Sequence, residues 1–213
     1  MLWAFVDESG WHPTGGGLAK LTVGGCITDF EAWECLSTDW AAAIQTWGLE
    51  QFHMADFQRK DPPHADYATW TDVQRRDRLN MLLNIIGASH AHCWGFTNLH
   101  REGDTTETMY ERCAHDMLLE LGLVNDELGI VFASHPEYGR HNELLSKLVK
   151  HGMAKNIHSC TVANPQFVCP LQAADIVVYE IRCIERGISL PDRYPLKRLL
   201  ELGCKFRLVS SAN

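Results

Sequence analysis

Leu2-Trp3-Ala4-Phe5-Val6-Asp7-Glu8-Ser9-Gly10 is an apolar run that ends on two adjacent carboxylates and a glycine. The apolar residues read as a buried strand, Leu2–Asp7, which Gly10 then breaks. Two neighbouring acids are poor core material, because an unpaired carboxylate is costly to bury. At the edge of a sheet they are either solvated or available to hold a divalent cation. The rest of the chain has to decide between those readings.

Outward from this run, a glycine-rich stretch (Gly10 to Gly17) leads to a second apolar run, Leu21–Thr28. The pair predicts two antiparallel strands with a wide connection. Asp29 is placed to cap a helix that runs to about Trp47 and stops at Gly48. Within it Trp33, Leu36, Trp40, Ile44 and Trp47 recur at steps of three and four, so one face is apolar and its tryptophans read as core. The segment Phe52-His53-Met54-Ala55-Asp56-Phe57 is short and mixed, and Pro62-Pro63 marks a loop beyond it. Helices are expected over 70–86, 105–121, 142–151, 170–186 and 196–202, with strands over 92–99, 128–133 and 157–163. Helices alternating with strands predict an α/β domain, a mixed sheet flanked by helices on both faces. The 213 residues suit a single domain with a helical and loop insertion around 48–90.

Composition excludes little and suggests more. With 46% hydrophobic and 22% charged residues the chain is ordinary for a globular protein. No apolar run has the length of a membrane span, and the N-terminus lacks a basic leader, so a cytosolic protein is the expectation. Eight scattered cysteines without a CxxC pair read as reduced core thiols rather than a disulfide framework or a zinc site. Residues 1–137 hold 8 Lys/Arg against 21 Asp/Glu, a balance of −13, while residues 138–213 hold 11 against 6, a balance of +5. The net charge of −8 argues against broad nucleic-acid affinity. The basic final third is either a solvated surface or a local phosphate-binding face, for which Lys147, Lys150, Lys155, Arg182 and Arg186 are the candidates.

In the helix beginning at Pro170, at about 100° per residue, Gln172, Asp175, Tyr179, Arg182 and Arg186 share one stripe. Most of the remaining circumference is apolar. The stripe is either the solvent face of the helix or the floor of a cleft in which Asp175 faces Asp7. In the second case two carboxylates from separate elements form an oxygen-rich site suited to Mg²⁺ or Mn²⁺, ions that clamp phosphate oxygens and acidify water.

Three motifs in this order, Val6-Asp7-Glu8-Ser9-Gly10, Phe52-His53-Met54-Ala55-Asp56 and Leu171-Gln172-Ala173-Ala174-Asp175, give the chain a resemblance to the family catalogued as domain of unknown function 3800. The resemblance implies a ribonuclease H-like fold and a divalent-metal-dependent nuclease. It also implies a setting among mobile-element or phage-defence genes, with a protein partner there as an alternative to nucleic acid. It carries over Asp7 as the first-strand metal ligand and Asp175 as the late-helix carboxylate. Glu8 is an added ligand on condition that the backbone turns at Ser9-Gly10, because a regular strand sends it to the opposite face. His53 and Asp56 are candidates for a ligand or proton-transfer role. The chain departs from the pattern after Ile130–Phe132, where Ala133-Ser134-His135-Pro136-Glu137 stands in place of an expected Asp. Glu137 is the nearest substitute, and His135 is either a proton shuttle or plain surface.

Other chemistries fit less well. A phosphatase of the haloacid dehalogenase type needs a second Asp where Ser9 stands. Gly15-Gly16-Gly17 lacks the Lys-Ser/Thr that a phosphate-cradling loop needs, and His90 with His92 lacks partners. A non-catalytic nucleic-acid- or protein-binding member with a degenerate site, or an enzyme acting on a small phosphorylated nucleotide, are the alternatives to a nuclease.

Overall fold

Ten residues of β1 (Leu2–Trp11) pair with ten of β2 (Lys20–Asp29) in unbroken antiparallel register, from Leu2 against Asp29 to Trp11 against Lys20. The strand expected to end at Asp7 therefore continues through Ser9 and Gly10. Gly10 does not break it, because Leu21 pairs with it across the ladder and cross-strand pairing outweighs local propensity. The computed structural model describes residues 1–11, 20–59, 64–122, 124, 126–134, 156–185 and 194–210. The connection after Trp11 and the helix expected over 142–151 lie outside them.

β3 (His92–Leu99) is antiparallel to β2, β4 (Leu128–Ala133) is parallel to β1, and β5 (Ile157–Ala163) is parallel to β4. A sixth strand, β6 (Lys205–Ser210), lies parallel to β3. Sequence reading misses it, since a short charged run near a chain end carries little periodicity. The result is an α/β fold with a six-stranded mixed sheet in the order β5-β4-β1-β2-β3-β6.

Side-chain alternation sends each strand's residues to two separate cores. Ala4, Val6, Leu21, Val23, Ile130 and Phe132 pack under α4 (Thr106–Leu121), whose Met109, Cys113, Met117 and Leu121 face them. Trp3, Phe5, Cys26 and Cys93 point the other way, toward α1 (Phe30–Thr46), α3 (Asp72–Ala88), α5 (Cys169–Glu185) and α6 (Tyr194–Glu201). The expected cap of α1 is present, with Asp29 Oδ1 accepting from Ala32 N at 2.8 Å. Helix α3 passes through Gly87, where a stop was expected. The glycine serves packing instead, since a Cβ there would come within 2.6 Å of the Leu202 Cβ.

Close approach of α5 to the sheet also depends on a missing side chain. A Cβ on Gly95 of β3 would meet Ile181 at 2.8 Å, so α5 can lie directly on the strands and carry its polar stripe to their ends. The eight cysteines are free thiols, five of them buried, with Cys35 exposed and Cys160 and Cys169 between; Cys26 and Cys93 are cross-strand partners with sulfurs 3.7 Å apart. Among the described residues no helix is long and apolar enough to cross a membrane.

Candidate functional site

β1 keeps its β2 neighbour to Trp11 but loses its β4 neighbour after Val6, which pairs with Phe132. Asp7 is the first residue past that point. The sheet splits there, at the carboxyl ends of the parallel strands, where open α/β sheets leave room for ligands. Trp3 and Phe5 pack toward α5, and Asp7 follows them in the alternation. Its Oδ1 accepts the Glu8 backbone N–H at 2.8 Å.

Glu8 corrects the expectation placed on it. The backbone does not turn at Ser9-Gly10, and regular pairing continues, so alternation sends the Glu8 Cβ to the α4 face. Its carboxyl nevertheless lies within electrostatic reach of Asp7 and Asp175. A side chain two methylenes long, on a strand edge without its β4 neighbour, has the freedom to do so.

The α5 stripe is not a solvent face. Gln172 is 1% exposed and Asp175 7% exposed. The Gln172 Oε1 accepts from Trp40 Nε1 and from Phe52 N, both at 2.9 Å, while its Nε2 donates to Pro165 O at 2.8 Å. One turn on, Asp175 Oδ2 accepts from Met54 N at 2.6 Å. Met54 opens the short helix α2 (Met54–Gln58), so a carboxylate distant in sequence satisfies an N–H at a helix start that lacks a side-chain cap of its own. The late-helix motif thereby holds the middle motif in place. Arg182, a candidate phosphate contact, is engaged internally: its Nη1 donates to Gly10 O at 2.5 Å and its guanidinium stacks 4.4 Å from the Tyr179 ring.

Clamping Phe52 and Met54 positions His53 between them. Its N–H donates to the Tyr67 hydroxyl at 3.0 Å, and its Nδ1 meets Asp56 Oδ2 at 2.8 Å. Asp56 also pairs with Arg59 at 3.3 Å and lies 3.8 Å from His64 Nε2. The His53 ring is half exposed and therefore accessible.

Charge defines what this arrangement can do. Burial, then the Glu8 and Asp175 charges, push the Asp7 carboxyl well above its ordinary range. Burial pushes Glu8 up to about 8, with Asp7 opposing it. Burial also raises Asp175, although His53, the Met54 N–H and Arg182 oppose it. Burial alone would lower the His53 imidazole, but Asp175, Asp56 and Asp7 together raise it. Asp56 moves down: burial is outweighed by His53, His64 and Arg59. Asp7, Glu8 and Asp175 are all raised mainly by burial, which marks a place short of positive charge.

Among the described residues no three His, Cys, Asp or Glu side chains form a ready cage for a metal. Asp7, Asp175 and Glu8 are the carboxylates that could contribute to a metal site here. Glu137, His135, Lys147, Lys150, Lys155 and Arg186 lie outside the described residues. Sequence reading missed Gln172 and Tyr67 as the supports of His53. The pairing of Gln172 with Asp175 three residues later, on an otherwise apolar helix, was the available signal.

No model of a known protein family matches the chain, and no curated protein matches it either.

Proposed function

We propose that the chain is a divalent-metal-dependent phosphodiesterase of ribonuclease H-like fold that hydrolyses DNA or RNA, the reading that its resemblance to the domain of unknown function 3800 family implies. An antiparallel β1–β2–β3 meander continued by β4 and β5, both parallel to β1, supports the fold. What supports the activity is Asp7 at the strand split and the Met54–Asp175 bond, which fixes His53-Asp56 beside Asp175, with the Asp175 charge contributing to the raised Asp7 carboxyl.

In this reading Asp7 and Asp175 hold the ion, with Glu8 as a third oxygen donor once it is deprotonated. A bound ion would neutralise the phosphate and lower the pKa of a water molecule. The chain's own residues supply the rest. Asp56 engages Nδ1 of His53 and thereby sets the ring's orientation, leaving Nε2 as the atom that carries a transferable proton. Against the effect of its burial, Asp175, Asp56 and Asp7 raise the His53 imidazole; this favours its charged form and suits the role of general acid toward the leaving oxygen.

A second reading, a binding protein with a degenerate site, is favoured by the absence of a three-ligand cluster among the described residues. One assay separates the two. Labelled single- and double-stranded DNA and RNA are incubated with the protein in Mn²⁺ or in EDTA. Cleavage in Mn²⁺ alone supports the nuclease. Binding without cleavage in either condition supports the degenerate site.

A further inference from the structure

On the α5 face of the sheet lies a groove of about 810 Å³. Its floor is Trp3 and Phe5 of β1 and Val131 of β4. One wall is the first half of α1 and the other is the 3-10 turn Pro165–Phe167 with the start of α5. Trp33 is fixed in the first wall, its Nε1 donating to Trp3 O at 2.8 Å. Each wall carries an exposed phenylalanine: Phe30 is 55% and Phe167 78% exposed. Large aromatic side chains left in water beside an apolar trough are the signature of a docking surface.

Charge tells what docks. Among the described residues, the charged ones lining the groove are Glu34 and Asp39, both exposed. Residues 21–58, which supply all of α1, contain six Asp/Glu and no Lys or Arg. Glu50 stands beside the opposite wall, where its Oε2 accepts from Gln166 Nε2 at 3.0 Å. An acidic rim repels a phosphate backbone and attracts cations, so a nucleic acid is disfavoured here.

We propose that this groove docks a cationic amphipathic segment of a partner protein. The apolar face of the segment sits between Phe30 and Phe167, and its lysines or arginines face Glu34 and Asp39. The aromatic contacts provide most of the affinity, because exposed ion pairs contribute little and act mainly on selectivity. This inference is independent of the catalytic reading, since none of its residues belongs to the carboxylate site.

The test uses the full chain and two synthetic helical peptides of about 15 residues, with leucines along one face and either lysines or glutamates along the other. Fluorescence anisotropy of the labelled peptides reads binding. The lysine peptide is expected to bind and the glutamate peptide not to. Phe167→Ser and the pair Glu34→Lys with Asp39→Lys are each expected to weaken binding by about tenfold or more, with unchanged thermal denaturation. The proposal is overturned if the lysine peptide does not bind, if the variants bind it as wild type does, or if both peptides bind equally. It is also overturned if the wild-type chain sediments as a dimer that Phe167→Ser dissociates, because the occupant is then a second copy.

Discussion

The backbone N–H of Met54 donates to Asp175 Oδ2 at 2.6 Å, across 121 positions of sequence. Through this bond the carboxylate expected to hold metal also fixes the helix start that presents His53. Structure and chemistry are therefore joined in one side chain, and substitutions can part them.

Asp175→Asn keeps an oxygen acceptor for Met54 and removes the charge, whereas Asp175→Ala removes both. The asparagine variant is expected to lie within about 1 kcal/mol of wild type in urea denaturation. The alanine variant is expected to lose about 1–3 kcal/mol, from an unpaired buried N–H. Both are expected to lose Mn²⁺ affinity, measured by titration calorimetry.

Gln172 satisfies Trp40 Nε1, Phe52 N and Pro165 O at once. Gln172→Leu, close in volume, strands Trp40 Nε1 and Phe52 N in the interior and removes the partner of the half-buried Pro165 carbonyl. A loss of about 2–4 kcal/mol in urea denaturation is expected. A change under about 0.5 kcal/mol would show that the clamp contributes nothing.

Much of this was legible in the sequence, and what was not has a common cause. β3, β4 and β5 fall where apolar runs put them, because a buried strand is written in its own residues. The α1 cap at Asp29 and the polar stripe of α5 are equally local signals. The continuation of β1 through Gly10, the passage of α3 through Gly87 and the pairing of β6 depend on Leu21, Leu202 and β3, all distant in sequence. The site divides in the same way. Asp7, Asp175, His53 and Asp56 stand out as residue types, but only the fold reveals that Gln172 and Asp175 hold His53 in position.

Stability of the metal-free protein should fall as pH rises. Unfolded carboxyls ionise near pH 4, while in the folded chain Asp7, Glu8 and Asp175 stay protonated to higher pH, Glu8 to about 8. A raised folded pKa gives stability that is complete below the unfolded pKa and is lost as pH climbs through the folded one. The raised imidazole of His53 acts in the same direction. The urea midpoint is expected to drop between about pH 5 and about pH 9, less steeply in Glu8→Gln, and Mn²⁺ should reverse part of the drop. A midpoint that rises over this range would contradict the charge reading.

His53→Ala is expected to lower kcat by about 10²–10⁴ with little change in KM, and to abolish the alkaline limb of the pH–rate profile. Asp56→Asn should lower kcat by about tenfold and shift that limb to lower pH, because His53 loses the partner that helps to hold it protonated. Steady-state kinetics over pH measures both. Unchanged profiles would remove His53 from proton transfer.

The central claim is that Asp7 and Asp175 share a divalent ion. Anomalous diffraction from crystals soaked in Mn²⁺ tests it most directly. The account predicts a peak with an oxygen of each carboxylate at about 2.0–2.6 Å, absent in Asp7→Asn. No peak between them, or a peak that persists unchanged in Asp7→Asn, would contradict it.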